Sequence, residues 1–127
     1  KFGLDPLLRE RDKPNSLIKN ISLASKNGDC IYITPDAPHG PRYKINTNIY
    51  KLALKYDVKI AILSFKTNKF FKLNNWDKLK IPLPFSKGIY LWGKEIIDPG
   101  KFSDEEKFNT KLIFELNANK KMINEYI

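Results

Sequence analysis

The sequence predicts an α/β fold, with a mostly parallel sheet flanked by helices and a long C-terminal helix. Two observations lead to this prediction. Strand-like runs alternate along the chain with segments whose apolar residues recur at helical spacing. Apolar residues make up 42% of the 127 residues and aromatic residues 13%, which is enough for one folded domain, assigned to residues 1–127.

The first half of the chain supplies two helices and one strand of this prediction. Residues 12–29 have apolar positions at helical spacing, and Gly28 suits the position just past a helix end. Residues 30–34 (CIYIT) are rich in β-branched and aromatic types and predict a short strand in which Cys30 is a buried, inert thiol. Residues 46–57 predict a second helix, whose buried stripe is Ile49, Leu52, Ala53 and Tyr56.

The second half supplies two further strands and the terminal helix. Residues 58–65 are apolar almost throughout, as in a strand whose sheet is covered on both faces. Residues 69–85 are amphipathic and aromatic without a clear period, and residues 87–96 predict the third strand. Residues 103–127 predict a helix that begins with a capping box of Ser103 and Glu106.

The charge of the chain favours an anionic partner. The formal net charge is +9, from 23 basic and 14 acidic residues. Such a charge attracts a membrane surface or a nucleic acid, although a lysine-rich composition alone produces the same excess. A single cysteine excludes an intramolecular disulfide, and no metal site is predicted.

The loop after the first predicted strand reads ITPDAPHGPRY and holds the candidate binding residues. Its three prolines restrict the backbone, so that Asp36, His39 and Arg42 are presented with little conformational freedom. Gly40 permits close approach of the backbone to a ligand, and the guanidinium of Arg42 suits a phosphate or carboxylate. The loop therefore suits a phosphorylated substrate, but an ion-paired, proline-rich turn has the same residue types.

The same loop carries a resemblance to a known family. ITPDAPHGPRY, then NIYKLALKYDVKIAILSF, then FFKLNNWDKLKIPLPFSKGIYLWGKEI resembles a bacterial family of the lysophospholipid acyltransferase superfamily, whose signature is close to T-P-D-G-P-R-G-P-R followed by S-W-D…I-P-x-P-F. The resemblance runs from about Lys1 to the end of the chain and is strongest over residues 33–96. It implies a glycerolipid-acyltransferase-like fold, of which residues 1–127 are the C-terminal portion of a single domain.

The resemblance implies transfer of an acyl chain from acyl-CoA or acyl-carrier protein to the hydroxyl of a lysophospholipid or related lipid. No cofactor is implied. The resemblance also implies that the protein binds an anionic membrane surface. It is expected to be a peripheral protein on the cytoplasmic face of the bacterial inner membrane. Asp36 matches the acid of the family's acceptor-binding block, and Arg9 loosely matches a further substrate-binding arginine.

Three departures from the family pattern limit what this chain is expected to do. Ala37 replaces the family's glycine, and His39 replaces an arginine and its permanent charge. The family's catalytic His-x4-Asp block is absent, since Lys44 follows His39, the only histidine, at the acid's position. No catalytic residue is therefore assigned. Two readings remain: an N-terminally truncated fragment that is inactive alone, or a non-catalytic lipid-binding relative.

The aromatic segment is expected to face the membrane. Phe70, Phe71 and Trp76 alternate with lysines such as Lys72, a composition that suits a lipid interface and also single-stranded nucleic acid. The family resemblance favours the membrane, and a basic nucleic-acid-binding module is the alternative. Packing of Trp76 and Phe85 beneath an irregular loop is a third interpretation. The resemblance leaves the acyl donor, the acyl chain length, the acceptor and the oligomeric state open.

Overall fold

The computed structural model of the chain describes residues 16–34, 45, 49–76 and 78–126. By its internal contacts the chain divides into two compact units, Lys1–Ile33 and Thr34–Ile127. Each unit is described by itself below. The assignment of one domain to residues 1–127 stays a prediction.

The first unit contains the predicted first helix. Helix α1 spans Ser16–Lys26, and Ile21 is buried. Gly28 has a φ of +74°, the left-handed conformation that glycine adopts without a steric cost. In this turn the Gly28 N–H donates to the carbonyl of Ser25 (3.1 Å) and the Asp29 N–H to that of Ala24 (2.9 Å), the two bonds of a Schellman motif. The predicted helix and its glycine stop are confirmed.

The strand predicted at residues 30–34 is wrong. These residues have no regular secondary structure and no ladder partner. Cys30 is exposed, so the predicted buried thiol is wrong as well. The β-propensity of a residue measures how well its side chain fits a pleated, half-buried surface. Five residues of high β-propensity therefore form no strand unless a neighbouring strand provides that surface.

The second unit holds two helices and four strands among its described residues. In chain order these are α2 (Ile49–Lys55), β1 (Ile60–Thr67), β2 (Phe70–Lys72), β3 (Lys80–Pro82), β4 (Gly88–Ile97) and α3 (Glu105–Ile123), with a short 3₁₀ turn at Pro99–Lys101 before α3.

The predicted mostly parallel sheet is contradicted by the strand pairing. β1 pairs with β4 and β2 pairs with β3, both antiparallel, as two separate two-stranded sheets. A parallel pair needs a crossover connection, usually a helix, whereas antiparallel strands can be joined by a hairpin. Residues 68–87 join β1 to β4 and contain a second hairpin and no helix. The described part of the chain therefore lacks the acyltransferase-like sheet that was expected.

One apolar cluster joins α2, β1, β4 and α3. Phe108 of α3 has no solvent exposure, and its ring lies 5.1 Å from that of Tyr50 and 5.6 Å from that of Phe102. Aromatic side chains bury large apolar areas, and their burial therefore contributes strongly to the stability of a core. The buried members of the cluster are Ile49, Ile62, Ile97, Phe108 and Leu112.

Helix α3 begins one residue later than the sequence predicts. Its N-cap is Asp104, whose carboxylate accepts the backbone N–H of Lys107 at 2.8 Å. The predicted capping box of Ser103 and Glu106 is therefore wrong. Aspartate caps the N-terminus of a helix as well as serine does. Because Ser103 and Asp104 are adjacent, their residue types do not determine which of them precedes the first residue of α3.

The β1–β4 ribbon is covered by α3 on one face only. On that face the side chain of Asn119 donates to Ser64 Oγ at 2.8 Å, and Lys66 Nζ donates to the carbonyl oxygens of Asn124 and Tyr126. The opposite face exposes large apolar residues, so the predicted cover on both faces of β1 is wrong. The exposed side chains there are Phe65, Tyr90, Trp92 and Ile96.

Candidate functional site

The predicted acceptor-binding residues lie outside the part of the chain that the structure describes. They are Arg9, Asp36, His39, Gly40 and Arg42. Their roles stay predictions. The four residues predicted to face a membrane are described, and they lie in one element.

That element is a hairpin, here called the distal hairpin, made of β2, β3 and the loop of residues 73–79 between them. Phe70 pairs with Pro82, Phe71 with Ile81 and Lys72 with Lys80. The pairing continues beyond the strands at both ends. The N–H of Leu73 donates to the carbonyl of Leu79 at 2.9 Å, and the N–H of Leu83 donates to that of Lys69 at 3.1 Å.

The loop is held closed by Asn75. Its backbone carbonyl accepts the N–H of Lys78 at 3.1 Å, and its side-chain oxygen accepts the N–H of Leu79 at 3.4 Å. Asparagine favours such turns because its side chain bonds the backbone a few residues on. Trp76 lies in this loop with 43% of its surface exposed.

The base of the distal hairpin is joined firmly to the β1–β4 ribbon. Asn68 donates its N–H to the carbonyl of Lys87 (3.0 Å), and its side-chain oxygen accepts the N–H of Lys87 (2.9 Å). The hydroxyl of buried Thr67 lies 3.2 Å from the carbonyl of Lys69 and 3.1 Å from that of Lys87. Phe85, which lies between β3 and this base, has a φ of +61° and a fully exposed side chain.

The two faces of the distal hairpin differ in chemistry. Successive side chains of a strand point to opposite faces, so the pairing assigns each residue to a face. On one face Lys80 Nζ lies 4.5 Å from the centroid of the Phe70 ring, a cation–π contact. This is the basic face, made of Phe70, Lys72, Lys80 and Pro82. The other is the apolar face, made of Phe71, Leu73, Leu79, Ile81 and Leu83, with Lys69 opposite Leu83 at its base.

The apolar face is exposed to solvent. Phe71 is 59% exposed, and Leu79, Ile81 and Leu83 are each exposed by 44% or more. Monomeric proteins seldom expose a continuous group of large apolar side chains without a function in binding. This face is therefore a candidate binding surface among the described residues.

The predicted membrane residues are brought together in one hairpin but divided between its surfaces. Phe71 lies on the apolar face, Phe70 and Lys72 on the basic face, and Trp76 in the loop. Sequence reasoning missed the leucines and Ile81. The signal was present as period-2 alternation, in Phe71-x-Leu73 and in Leu79-x-Ile81-x-Leu83, at both ends of an Asn-rich turn.

The surroundings of the distal hairpin are strongly basic. From residue 66 to residue 94 the sequence has one acidic residue, Asp77, which lies outside the described residues. The same stretch carries seven lysines: Lys66, Lys69, Lys72, Lys78, Lys80, Lys87 and Lys94.

The described residues contain no group of histidine, cysteine or acidic side chains that could hold a metal ion. Within the same residues, no helix combines the length and the apolar character needed to span a bilayer.

Comparisons with known proteins identify one informative relative. The chain is 39% identical over 87 residues to an uncharacterized protein of Rickettsia prowazekii (strain Madrid E), an alignment that covers 67% of this chain. The matched segment spans 39% of that protein's length. No protein-family model matches the chain, and no solved structure matches it.

Proposed function

We propose that this protein takes part in acyl transfer from an acyl thioester to the hydroxyl of a lysophospholipid or related lipid at a membrane surface. The observation that carries the proposal is the exposed distal hairpin, where aromatic and aliphatic side chains lie among lysines. An enzyme with a lipid acceptor must reach a membrane, and such a surface suits the boundary between headgroups and acyl chains.

The sequence supports the chemical part of this proposal. Residues 33–43 resemble the acceptor-binding block of the lysophospholipid acyltransferase superfamily, with Asp36 as the acid. His39 stands where the block has its arginine, and Arg42 supplies a nearby guanidinium that takes part of the phosphate contact. In that family a histidine removes the proton of the acceptor hydroxyl, and the oxygen then attacks the thioester carbonyl and releases the thiol. The 127 residues lack the His-x4-Asp block, so these residues alone are not expected to catalyse the reaction.

The test of acyl transfer uses the complete product of the gene beside the 127-residue chain. Each is incubated with a labelled acyl thioester and lysophospholipids in vesicles. We expect labelled phospholipid from the complete product and none from the 127-residue chain. Asp36→Ala should reduce the rate by about tenfold or more, since an acceptor contact is lost. Asp29→Ala, at an exposed aspartate after α1, is the control and should leave the rate unchanged.

Absence of transfer by the complete product on every acceptor would contradict the proposal. If vesicle binding persisted in that case, the protein would be a lipid-binding relative without this activity. An equal loss of activity in the two aspartate variants would remove Asp36 from the site.

A further inference from the structure

We infer that the apolar face of the distal hairpin is the surface that lies on an anionic phospholipid bilayer. The inference rests on the proposed function for its partner, a membrane, and adds the residues that enter it. It assigns membrane contact to Phe71, Leu73, Leu79, Ile81 and Leu83, rather than to the aromatic segment as a whole.

The distribution of side chains gives the orientation. The five apolar positions of the apolar face have one charged neighbour on that face, Lys69, which lies opposite Leu83 at the base of the hairpin. The basic face on the other side carries Lys72 and Lys80. This is the pattern of a surface-bound amphipathic element, whose apolar side enters the lipid boundary while its basic side stays in water. A two-stranded hairpin is thin, so lysines on its outer face stay within about one Debye length, ~10 Å, of the lipid headgroups.

The charge of the segment selects the lipid. Seven lysines and one acidic residue between residues 66 and 94 make this the strongly basic part of the second unit. Lysines near a negatively charged leaflet each strengthen binding, and an uncharged leaflet offers no such gain. We therefore expect a bilayer rich in phosphatidylglycerol to be bound in preference to one of phosphatidylcholine.

Nucleic acid fits this surface less well than lipid does. Binding to single strands relies on aromatic rings with free faces. Four of the five residues on the apolar face are aliphatic, and the ring of Phe70 on the basic face already has the Lys80 ammonium 4.5 Å from its centroid. Aliphatic side chains gain free energy by leaving water for acyl chains but do not stack on bases.

Two adjacent phenylalanines provide a matched test. Phe71 and Phe70 are neighbours of the same type on opposite faces, with 59% and 39% of their surfaces exposed. We expect Phe71→Ser to weaken binding of the 127-residue chain to phosphatidylglycerol-rich vesicles by about tenfold, as for loss of one buried aromatic side chain. Ile81→Ser, on the same face, should weaken it comparably. Phe70→Ser should change it by less than about twofold. Circular dichroism checks that all variants fold alike.

Other results would overturn the inference. Equal losses in the Phe70 and Phe71 variants would refute the assignment of a face. No binding of the unaltered chain to vesicles, or tighter binding to a single-stranded oligonucleotide than to vesicles, would refute the membrane as partner.

The failure of this inference and that of acyl transfer are separable. Transfer by the complete gene product is also measured on a short-chain lysophospholipid dispersed as monomers. Transfer there without vesicle binding supports the enzyme and refutes the docking surface. Vesicle binding with the expected difference between Phe71 and Phe70, but without transfer to any acceptor, supports the docking surface and refutes the enzyme.

Discussion

Asn119 joins α3 to both strands of the ribbon through one side chain. Its amide nitrogen lies 2.8 Å from Ser64 Oγ of β1 and 3.1 Å from the carbonyl oxygen of Leu91 of β4, and the residue is 2% exposed. Its side-chain oxygen is buried without a hydrogen-bond partner among the described residues. The two bonds that the amide makes hold the helix in register over the sheet.

Replacing Asn119 should destabilise the second unit. Asn119→Ala leaves the Leu91 carbonyl and the Ser64 hydroxyl without this donor, which should lower the free energy of unfolding by about 1–3 kcal/mol. Urea denaturation measures the change. Asn117→Ala, at an exposed asparagine of the same helix, is the control and should change it by less than about 0.5 kcal/mol. Equal effects of the two variants would show that the buried bonds contribute nothing.

Lys111 supplies a pH-dependent contact between α3 and β4. Its Nζ lies 2.8 Å from Glu115 on the same helix and 3.0 Å from Glu95 on β4. The hydrogen bond to Glu115, with that to Glu95, raises the pKa of Lys111 above its ordinary value. Because the pKa is raised in the folded state, the contact stabilises the fold below the unfolded pKa and is lost as the pH rises through the folded pKa.

We therefore expect Lys111→Met to lower the melting temperature slightly at about pH 8, with a difference from the unaltered chain that shrinks as the pH rises above about 10.5. The effect is small because Lys111 is partly exposed and Glu95 mostly exposed, so that water screens the ion pair between them. Melting followed by circular dichroism across this range measures it, with Lys107→Met as a control that removes the same charge from an exposed position. A difference independent of pH would show that lost packing, rather than the ion pairs, causes the change.

Among the secondary-structure elements, those with strong local signals could be predicted from sequence. Helices α1, α2 and α3 and strands β1 and β4 were found within a few residues of their ends. The strand at residues 30–34 was wrong because β-propensity does not supply a partner. The parallel sheet was wrong because strand direction depends on the connection, and residues 68–87 were not recognised as a hairpin. The strands of that hairpin have three residues each, so the alternation of apolar residues there is real but short and is easily overlooked.

The short distal hairpin should open more readily than the β1–β4 ribbon. All six residues of β2 and β3 are exposed, whereas β1 includes buried Ile62 and Thr67 and β4 buried Ile97. Local stability follows buried apolar contacts, so its amide hydrogens should exchange faster. Hydrogen–deuterium exchange should therefore label residues 70–82 well before residues 60–67 in solution. Slower exchange at 70–82 on phosphatidylglycerol vesicles, with 60–67 unchanged, is expected if the apolar face binds lipid. Unchanged labelling would contradict that contact.

For the whole molecule, composition predicted attraction to an anionic partner but could not show which surface of the protein binds that partner. The net charge of +9 is spread over the chain, and β-strand pairing places Lys72 and Lys80 on the face opposite Phe71 and Ile81. The predicted acceptor-binding residues, including Asp36 and Arg42, lie outside the described residues, so their roles stay predictions from the sequence. The structure assigns the residues predicted to face the membrane to particular surfaces of the hairpin, which composition could not do because a side chain's face depends on strand register.

The position of the positive charge, rather than its total, should determine binding to anionic vesicles. Replacing Lys69, Lys72 and Lys80 with glutamine removes three charges from the distal hairpin and its base. Replacing Lys101, Lys107 and Lys121, all exposed, removes the same number from the segment that contains α3. Each lysine near an anionic surface contributes about 1 kcal/mol, so the hairpin variant should bind phosphatidylglycerol vesicles about a hundredfold more weakly and the α3 variant much less so. Co-sedimentation at two salt concentrations measures both. Equal losses would indicate that net charge alone attracts the membrane, and the hairpin would then have no special role in orienting the protein on it.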